Sequence, residues 1–295
     1  MDASLDERGS TPSVLVGIDG SDSALAAARW AAREADLRGA PVRLVYAFGW
    51  MPVHDADDPV QLVPEARDEM RRMAEGRLAA AAEQVADVAP DVTVRQELMT
   101  GMPPALLVTL SAEAQLAVVG HRGLGGFTGL VVGSVSTALA AHAACPVVVV
   151  RGSAAPRRDG PVVVGLDGSP QSEAALAFAV EAAAARRVPL RAIHAWRDSV
   201  VPYVVSGPTD WDEVARHQQD MLTEQLAGWR EKCPDLPIEP VVTNDRPAHA
   251  LVQSTGDAQL VVVGSRGRGG LSGMLLGSVG QAMLHHADCP VAVVR

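Results

Sequence analysis

The chain carries itself twice. Val16-Gly17-Ile18-Asp19-Gly20-Ser21 recurs as Val164-Gly165-Leu166-Asp167-Gly168-Ser169, a shift of 148. Val119-Gly120-His121-Arg122-Gly123 recurs as Val263-Gly264-Ser265-Arg266-Gly267, and Cys145-Pro146-Val147 as Cys289-Pro290-Val291, both shifted by 144. Three ordered matches at nearly constant offset mark a duplication, so any fold proposed for one half must serve for the other. The second copy is shorter in its middle. Between the copies, Gly152-Ser153-Ala154-Ala155-Pro156-Arg157-Arg158-Asp159-Gly160 has no apolar periodicity and carries turn formers. It reads as a linker (152–160) between a first domain over 11–151 and a second over 161–295, with 1–10 a polar, flexible tail.

Within each half, short β-branched runs alternate with Ala-rich stretches of helical length. The first half gives strands over Ser13–Ile18, Val42–Ala47, Val92–Leu98, Leu116–Val119 and Pro146–Val150, and helices over Asp22–Arg38, Pro64–Val88, Pro103–Glu113 and Ser134–His142. The second gives strands over Val162–Leu166, Leu190–Ala195, Ile238–Thr243, Leu260–Val263 and Val291–Val294. Runs such as Val261-Val262-Val263 are apolar without alternation, as expected of strands buried on both faces by helices. The expected class is therefore α/β, with two open five-stranded parallel sheets.

Totals exclude several functions. A net charge of −10 repels a polyanion, and five Trp, two Tyr and three Phe in 295 residues leave few stacking platforms for bases, so nucleic acid is not the expected partner. Three scattered cysteines build neither a disulfide framework nor a zinc site, which points to a reducing, cytoplasmic compartment. Met1–Ser10 lacks the basic start and apolar run of an export signal, and no apolar run is long enough to span a bilayer. His285-His286 on one helix face different directions and make poor metal ligands. Cys145 and Cys289 read as small buried residues, Cys233 as exposed, and Trp211, Trp229 and Met221 as helix residues packed in the core.

In an open α/β sheet, ligands sit beyond the carboxyl ends of the strands, where the strand order reverses. Two places in each half stand out there. After the first strand comes Asp19-Gly20-Ser21, with Asp22 or Ser23 placed to cap the next helix. After the fourth comes a glycine loop, Gly120 to Ser134, repeated from Gly264 to Ser278; both have the form G-x2-G-x9-G-S. Such a loop either presents main-chain N–H groups to phosphate at a helix N-terminus or merely shapes a long turn with Ser134 as N-cap. Its recurrence at constant spacing opposite the same Asp-Gly-Ser favours the first reading.

These residues resemble the universal stress proteins of the ATP-binding type, and the resemblance covers two family domains back to back, as in the two-domain proteins of actinobacteria. It implies the sheet order 3-2-1-4-5, an intramolecular pairing of the halves through their last strands with further homodimerisation open, and ATP, with or without Mg2+, in each half. It implies that Gly17, Asp19 and Ala47 flank the nucleoside and phosphates in the first site, with Gly165, Asp167 and Ala195 in the second. It further implies that Gly120, His121, Arg122, Gly123, Gly125, Gly126, Gly133, Ser134 and Val135 wrap the phosphates. Their counterparts are Gly264, Ser265, Arg266, Gly267, Arg268, Gly269, Gly270, Gly277, Ser278 and Val279. His121 stands where the second copy has Ser265, so the two sites are expected to differ. The irregular stretches Pro52–Pro64 and Val200–Pro208 read as lids or as ordinary long connections.

No P-loop is present, and no G-x-G-x-x-G follows the first strand of either half. No general base, nucleophile and orienting partner recur in both copies, so binding outranks turnover. The expectation is a nucleotide-responsive regulator with slow or no hydrolysis. A ligase or nucleotidyltransferase of the same superfold, or a dimerisation module with vestigial sites, stands as the alternative. On this reading Gly120→Ala and Gly264→Ala weaken binding without unfolding the protein.

Overall fold

The computed structural model describes residues 12–48, 64–124, 132–151, 159–196, 211–268 and 276–295. The N-terminal tail, most of the linker, the segments read as lids, and Gly125, Gly126, Gly269 and Gly270 lie outside the described residues.

The first half runs β1 (Ser13–Ile18), α1 (Asp22–Arg38), β2 (Val42–Phe48), α2 (Pro64–Val88), β3 (Val94–Thr100), α3 (Pro103–Leu110), β4 (Ala114–Gly120), α4 (Ser134–His142) and β5 (Val147–Val150). The second runs β6 (Val162–Gly165), α5 (Pro170–Arg186), β7 (Leu190–Ala195), α6 (Trp211–Lys232), β8 (Ile238–Thr243), α7 (Pro247–Gln253), β9 (Leu260–Gly264), α8 (Ser278–His286) and β10 (Val291–Val294). One expected helix is divided: Ser111–Glu113 closes α3 as a 3-10 turn.

Strand order within each half is the expected one, but the halves do not stand as two separate sheets. They join edge to edge in a single ten-stranded sheet, ordered β3-β2-β1-β4-β5-β10-β9-β6-β7-β8. All pairings inside a half are parallel; β5 and β10 meet antiparallel, with Val149 opposite Val291 and Val147 opposite Val293. Edge pairing of this kind removes two open strand edges, a step that the apolar pattern of one half does not encode.

Successive side chains of a strand point to opposite faces, and here both faces are covered. Val14 and Val16 face a core layer containing α1, α2, α5 and α6 residues, whereas Leu15 faces a second layer built from α3, α4, α7 and α8. Each layer contains buried residues from both halves. On α1 the buried face is Ala24, Ala27, Ala28, Ala31, Ala32 and Ala35, whose small side chains let the helix lie close to the valine strands. Trp211 and Met221 depart from the core expectation, at 48% and 41% exposed, while Trp229 and Cys233 are half-buried against the first layer. Cys145 and Cys289 are buried, and burial pushes the Cys145 thiol up to about 11.

The helices of the two halves also meet through charge. Glu34 of α1, 2% exposed, receives Arg38 at 2.5 Å from its own helix and Arg186 from α5. The guanidinium of Arg38 lies 5.3 Å from the ring centre of Phe178 on α5, and that of Arg186 lies 5.8 Å from Trp30 on α1. Arg38 and Arg186 are equivalent by the 148-residue shift, as are Trp30 and Phe178, so each half sends its arginine over the other's aromatic ring. Glu34 has no counterpart: position 182 is Ala. Among the described residues no helix is long and apolar enough to cross a membrane.

Candidate functional site

In both halves the aspartate after the first strand ties two loops together. Asp19 Oδ1 accepts the Ser21 N–H at 2.9 Å, and Oδ2 accepts the Leu124 N–H of the loop after β4 at 2.8 Å. Asp167 repeats this with Ser169 at 3.0 Å and Arg268 at 2.9 Å. Burial works to raise the Asp167 pKa, but hydrogen bonds from Ser169, Arg268 and Ser172 outweigh it and hold the carboxyl below its ordinary value. The turn between strand and helix is made by Gly20 and Gly168, with φ of +87° and +71°. The helix cap falls one residue earlier than expected: Ser21, not Asp22 or Ser23, is the N-cap and accepts the Ala24 N–H at 3.2 Å, as Ser169 does from Ser172. Ser23 instead turns its hydroxyl to the Arg122 carbonyl.

The glycines of the fourth-strand loop have separate reasons to be glycine. A Cβ on Gly123 or Gly267 would strike the Asp19 or Asp167 carboxylate, so these positions must be bare for the aspartate to reach across. On Gly120 a Cβ would come within 2.6 Å of the Ser23 backbone, and on Gly264 within 3.0 Å of the Gln171 backbone. Their missing side chains therefore point into the first turn of α1 or α5, so an added methyl there meets the protein's own main chain, whereas the sequence reading placed it where the backbone meets phosphate. Gly17 and Gly165 likewise make room for Leu107 and Leu251 of the helices behind the sheet.

The loop closes on itself where Gly133 N–H donates to the His121 carbonyl, and Gly277 N–H to that of Ser265, both at 2.8 Å. Gly133 and Gly277 are the N-caps, so Ser134 and Ser278 are first helical residues and not caps; both are exposed. The N–H groups of Ser134, Val135, Ser278 and Val279 belong to first turns, where a helix supplies no acceptor and the dipole favours anions. In the first half, the Ser136 hydroxyl donates to the Gly120 carbonyl at 2.7 Å and fixes α4 against the end of β4. Arg122 and Arg266 are exposed beside these turns. Ala47 and Ala195 sit at the ends of β2 and β7, one residue beyond Tyr46, which pairs with Ile18, and beyond its counterpart His194. His121 is half-buried; burial first, then the charge of Arg151, holds its pKa below the ordinary value.

Several residues at this crevice escaped the motif reading. Arg77 of α2 lies over Gly20 and donates to the Tyr46 hydroxyl at 2.8 Å. In the second half the ring of His194 bridges the Leu166 carbonyl at 2.9 Å and the Gln218 side chain at 2.8 Å, and Trp196 stacks on Trp211 with ring centres 6.0 Å apart. None of these belongs to a repeated motif. The signal that finds them is the opposite one, the positions where the two copies differ.

Comparison with known proteins agrees with the duplicated plan. Residues 11–151 and 160–295 each match the Universal stress protein family. Universal stress protein Rv2005c of Mycobacterium tuberculosis is 43% identical over 291 residues, covering 96% of each chain, and Rv2623 of the same species is 42% identical over 290 residues at the same coverage. A universal stress protein crystal structure from Archaeoglobus fulgidus superposes with a TM-score of 0.69 at 18% identity, covering 96% of this chain and 98% of that one, which shows a shared fold. With both copies matched and relatives aligned from end to end, the chain belongs to the universal stress protein family.

Proposed function

We propose that this protein binds ATP at one site in each half and acts as a nucleotide-responsive regulator in the cytoplasmic stress response, with slow or no hydrolysis. The observation that carries this reading is the duplicated aspartate bridge, Asp19 to Leu124 and Asp167 to Arg268. It holds the turn after the first strand against the glycine loop after the fourth, at the switch point where open α/β sheets take their ligands. The arrangement suits a phosphate chain. The first-turn N–H groups of Ser134 and Val135, and of Ser278 and Val279, offer donors to anionic oxygens, and Arg122 and Arg266 stand exposed beside them. Asp19 and Asp167 are acceptors already engaged by main-chain N–H groups, so their role is to shape the crevice and not to abstract a proton.

On this reading Ala47 and Ala195 border the base, and the loop residues Gly120–Ser134 and Gly264–Ser278 border the phosphates. Among the described residues no cluster of His, Cys, Asp and Glu is spaced to hold a metal ion, so Mg2+ would accompany the phosphates. The domains are taken as 11–151 and 161–295, paired within one chain through β5 and β10.

Native mass spectrometry of the purified protein tests the proposal: adenine nucleotide should co-purify or be taken up, at up to two per chain. A protein that takes up none at any concentration tried would remove it. Rapid pyrophosphate release that depends on an added acceptor would replace the regulator with a ligase-type enzyme.

A further inference from the structure

The two halves place a guanidinium over the same turn from different parts of the chain. A Cβ built on Gly20 would lie 2.5 Å from Cδ and 2.6 Å from Nε of Arg77; one built on Gly168 would lie 3.0 Å from Cζ of Arg268. Both glycines adopt the left-handed conformation, so the two constructed positions mark one spot relative to Asp19 and Asp167. Arg268 belongs to the glycine loop and donates to the Gly168 carbonyl at 3.2 Å. Its counterpart in the first half is Leu124, which carries no charge. Arg77 instead comes from α2, and its own counterpart by the 144-residue shift is the exposed Met221. The shift is secure there because Pro90-Asp91, just after α2, recurs as Pro234-Asp235 just after α6, at the same offset of 144.

Among the described residues Arg77 also meets no counter-charge. Several half-buried arginines have carboxylates, for Arg38 and Arg186 share Glu34, Arg43 meets Glu97 and Arg191 meets Asp257, while Arg29 and Arg151 are held by neutral oxygens, the Gln84 side chain and the carbonyls at the end of α8. Arg77 has no carboxylate partner among the described residues, and its one hydrogen-bond acceptor there is the Tyr46 hydroxyl, with the Tyr46 ring 5.9 Å away. A half-buried cation left without an anion is costly unless something supplies one. Tyr46 orients the guanidinium, and among the described residues nothing else claims its N–H donors.

We propose that Arg77 is the phosphate-facing cation of the first site, the role that Arg268 fills in the second. The inference rests on the nucleotide reading above and adds a residue that no repeated motif contains. An arginine so placed recognises the anionic part of the ligand through charge-assisted hydrogen bonds and is indifferent to the nucleoside.

Titration calorimetry of the full chain with ATP, AMP and adenosine tests it in wild type, Arg77→Met and Arg77→Lys. Methionine is the residue of the second half at this position and preserves helix and bulk. Expected for Arg77→Met is a loss of about tenfold or more in ATP affinity at one of two sites, a smaller loss for AMP and none for adenosine, with Arg77→Lys recovering part of the ATP affinity. Equal losses for ATP and adenosine would reduce Arg77 to a brace of the turn and overturn the inference, as would unchanged ATP affinity. A wild-type protein that binds no nucleotide would instead strike the underlying reading, and that result is visible before any variant is made.

Discussion

Arg151 Nε donates to the carbonyl of Ala287 at 3.0 Å, across the line where the two halves meet. The rest of the guanidinium donates to the carbonyls of Leu284 and His285, so a residue that follows β5 of the first half closes the C-terminal end of α8 in the second. A cation suits that end of a helix, where carbonyls lack partners and the dipole is negative. Its counterpart Arg295 makes no such bonds to α4 among the described residues, so the brace runs one way. Arg151→Ala should lower stability by about 1–3 kcal/mol, measured by urea denaturation, and amide exchange should quicken first in the last turn of α8.

Gly120→Ala and Gly264→Ala are folding variants before they are binding variants. The added methyl meets main chain, 2.6 Å from Ser23 in one half and 3.0 Å from Gln171 in the other, and main chain yields less easily than the end of a side chain. A loss of about 1–3 kcal/mol is expected from such overpacking, larger at Gly120, where the approach is closer. Thermal denaturation in the absence of nucleotide checks it: a melting temperature equal to wild type would refute the packing account.

Glu34 neutralises Arg38 and Arg186 while itself only 2% exposed. Removing it leaves two half-buried cations without their carboxylate, so Glu34→Gln should cost about 3 kcal/mol, with modest sensitivity to salt because Glu34 itself is shielded from solvent ions. The combined change Glu34→Leu, Arg38→Met, Arg186→Met removes all three charges and should recover most of that loss. Chemical denaturation of the three proteins measures this directly.

His121 supplies a pH dependence that the second half lacks. Its folded-state pKa is depressed below 6.5 by burial and by Arg151. The unfolded chain therefore binds more protons than the folded one as pH drops below about 6.5; the contribution to stability is complete above that pH and is lost on acidification. Between about pH 7.5 and about pH 5.5 the melting temperature should fall further for wild type than for His121→Ser, which installs the residue found at position 265. Equal falls would show that His121 does not carry the effect.

The repeat made the succession of strands and helices readable, because both copies had to satisfy one pattern and the valine runs fit only a sheet covered on both faces; the order of strands in the sheet came from the family resemblance. What it concealed follows from the same logic. A motif shared by the copies reports what each half needs for itself, such as Asp19 or Gly123. The Glu34 triad and Arg151 involve residues that contact the other copy, and Glu34 has only Ala182 opposite it; the meeting of the last strands was expected from the family resemblance alone. The cap falls on Ser21 and not on Asp22 or Ser23, three neighbours that are all good cap formers and that sequence alone does not rank. The Gly120 methyl was assigned to the ligand because sequence does not tell which way an absent side chain would have pointed.

Because β5 and β10 run in opposite directions, the carboxyl ends of β1 and β4 and those of β6 and β9 lie at opposite ends of the slab. The two crevices thus lie at opposite ends of the sheet. Helix α8 starts at the second mouth and, about 13 Å later, ends in the grip of a residue two positions after Val149, close to His121 at the first. Arg151 thus ties the last turn of that helix to the strand end from which His121 departs.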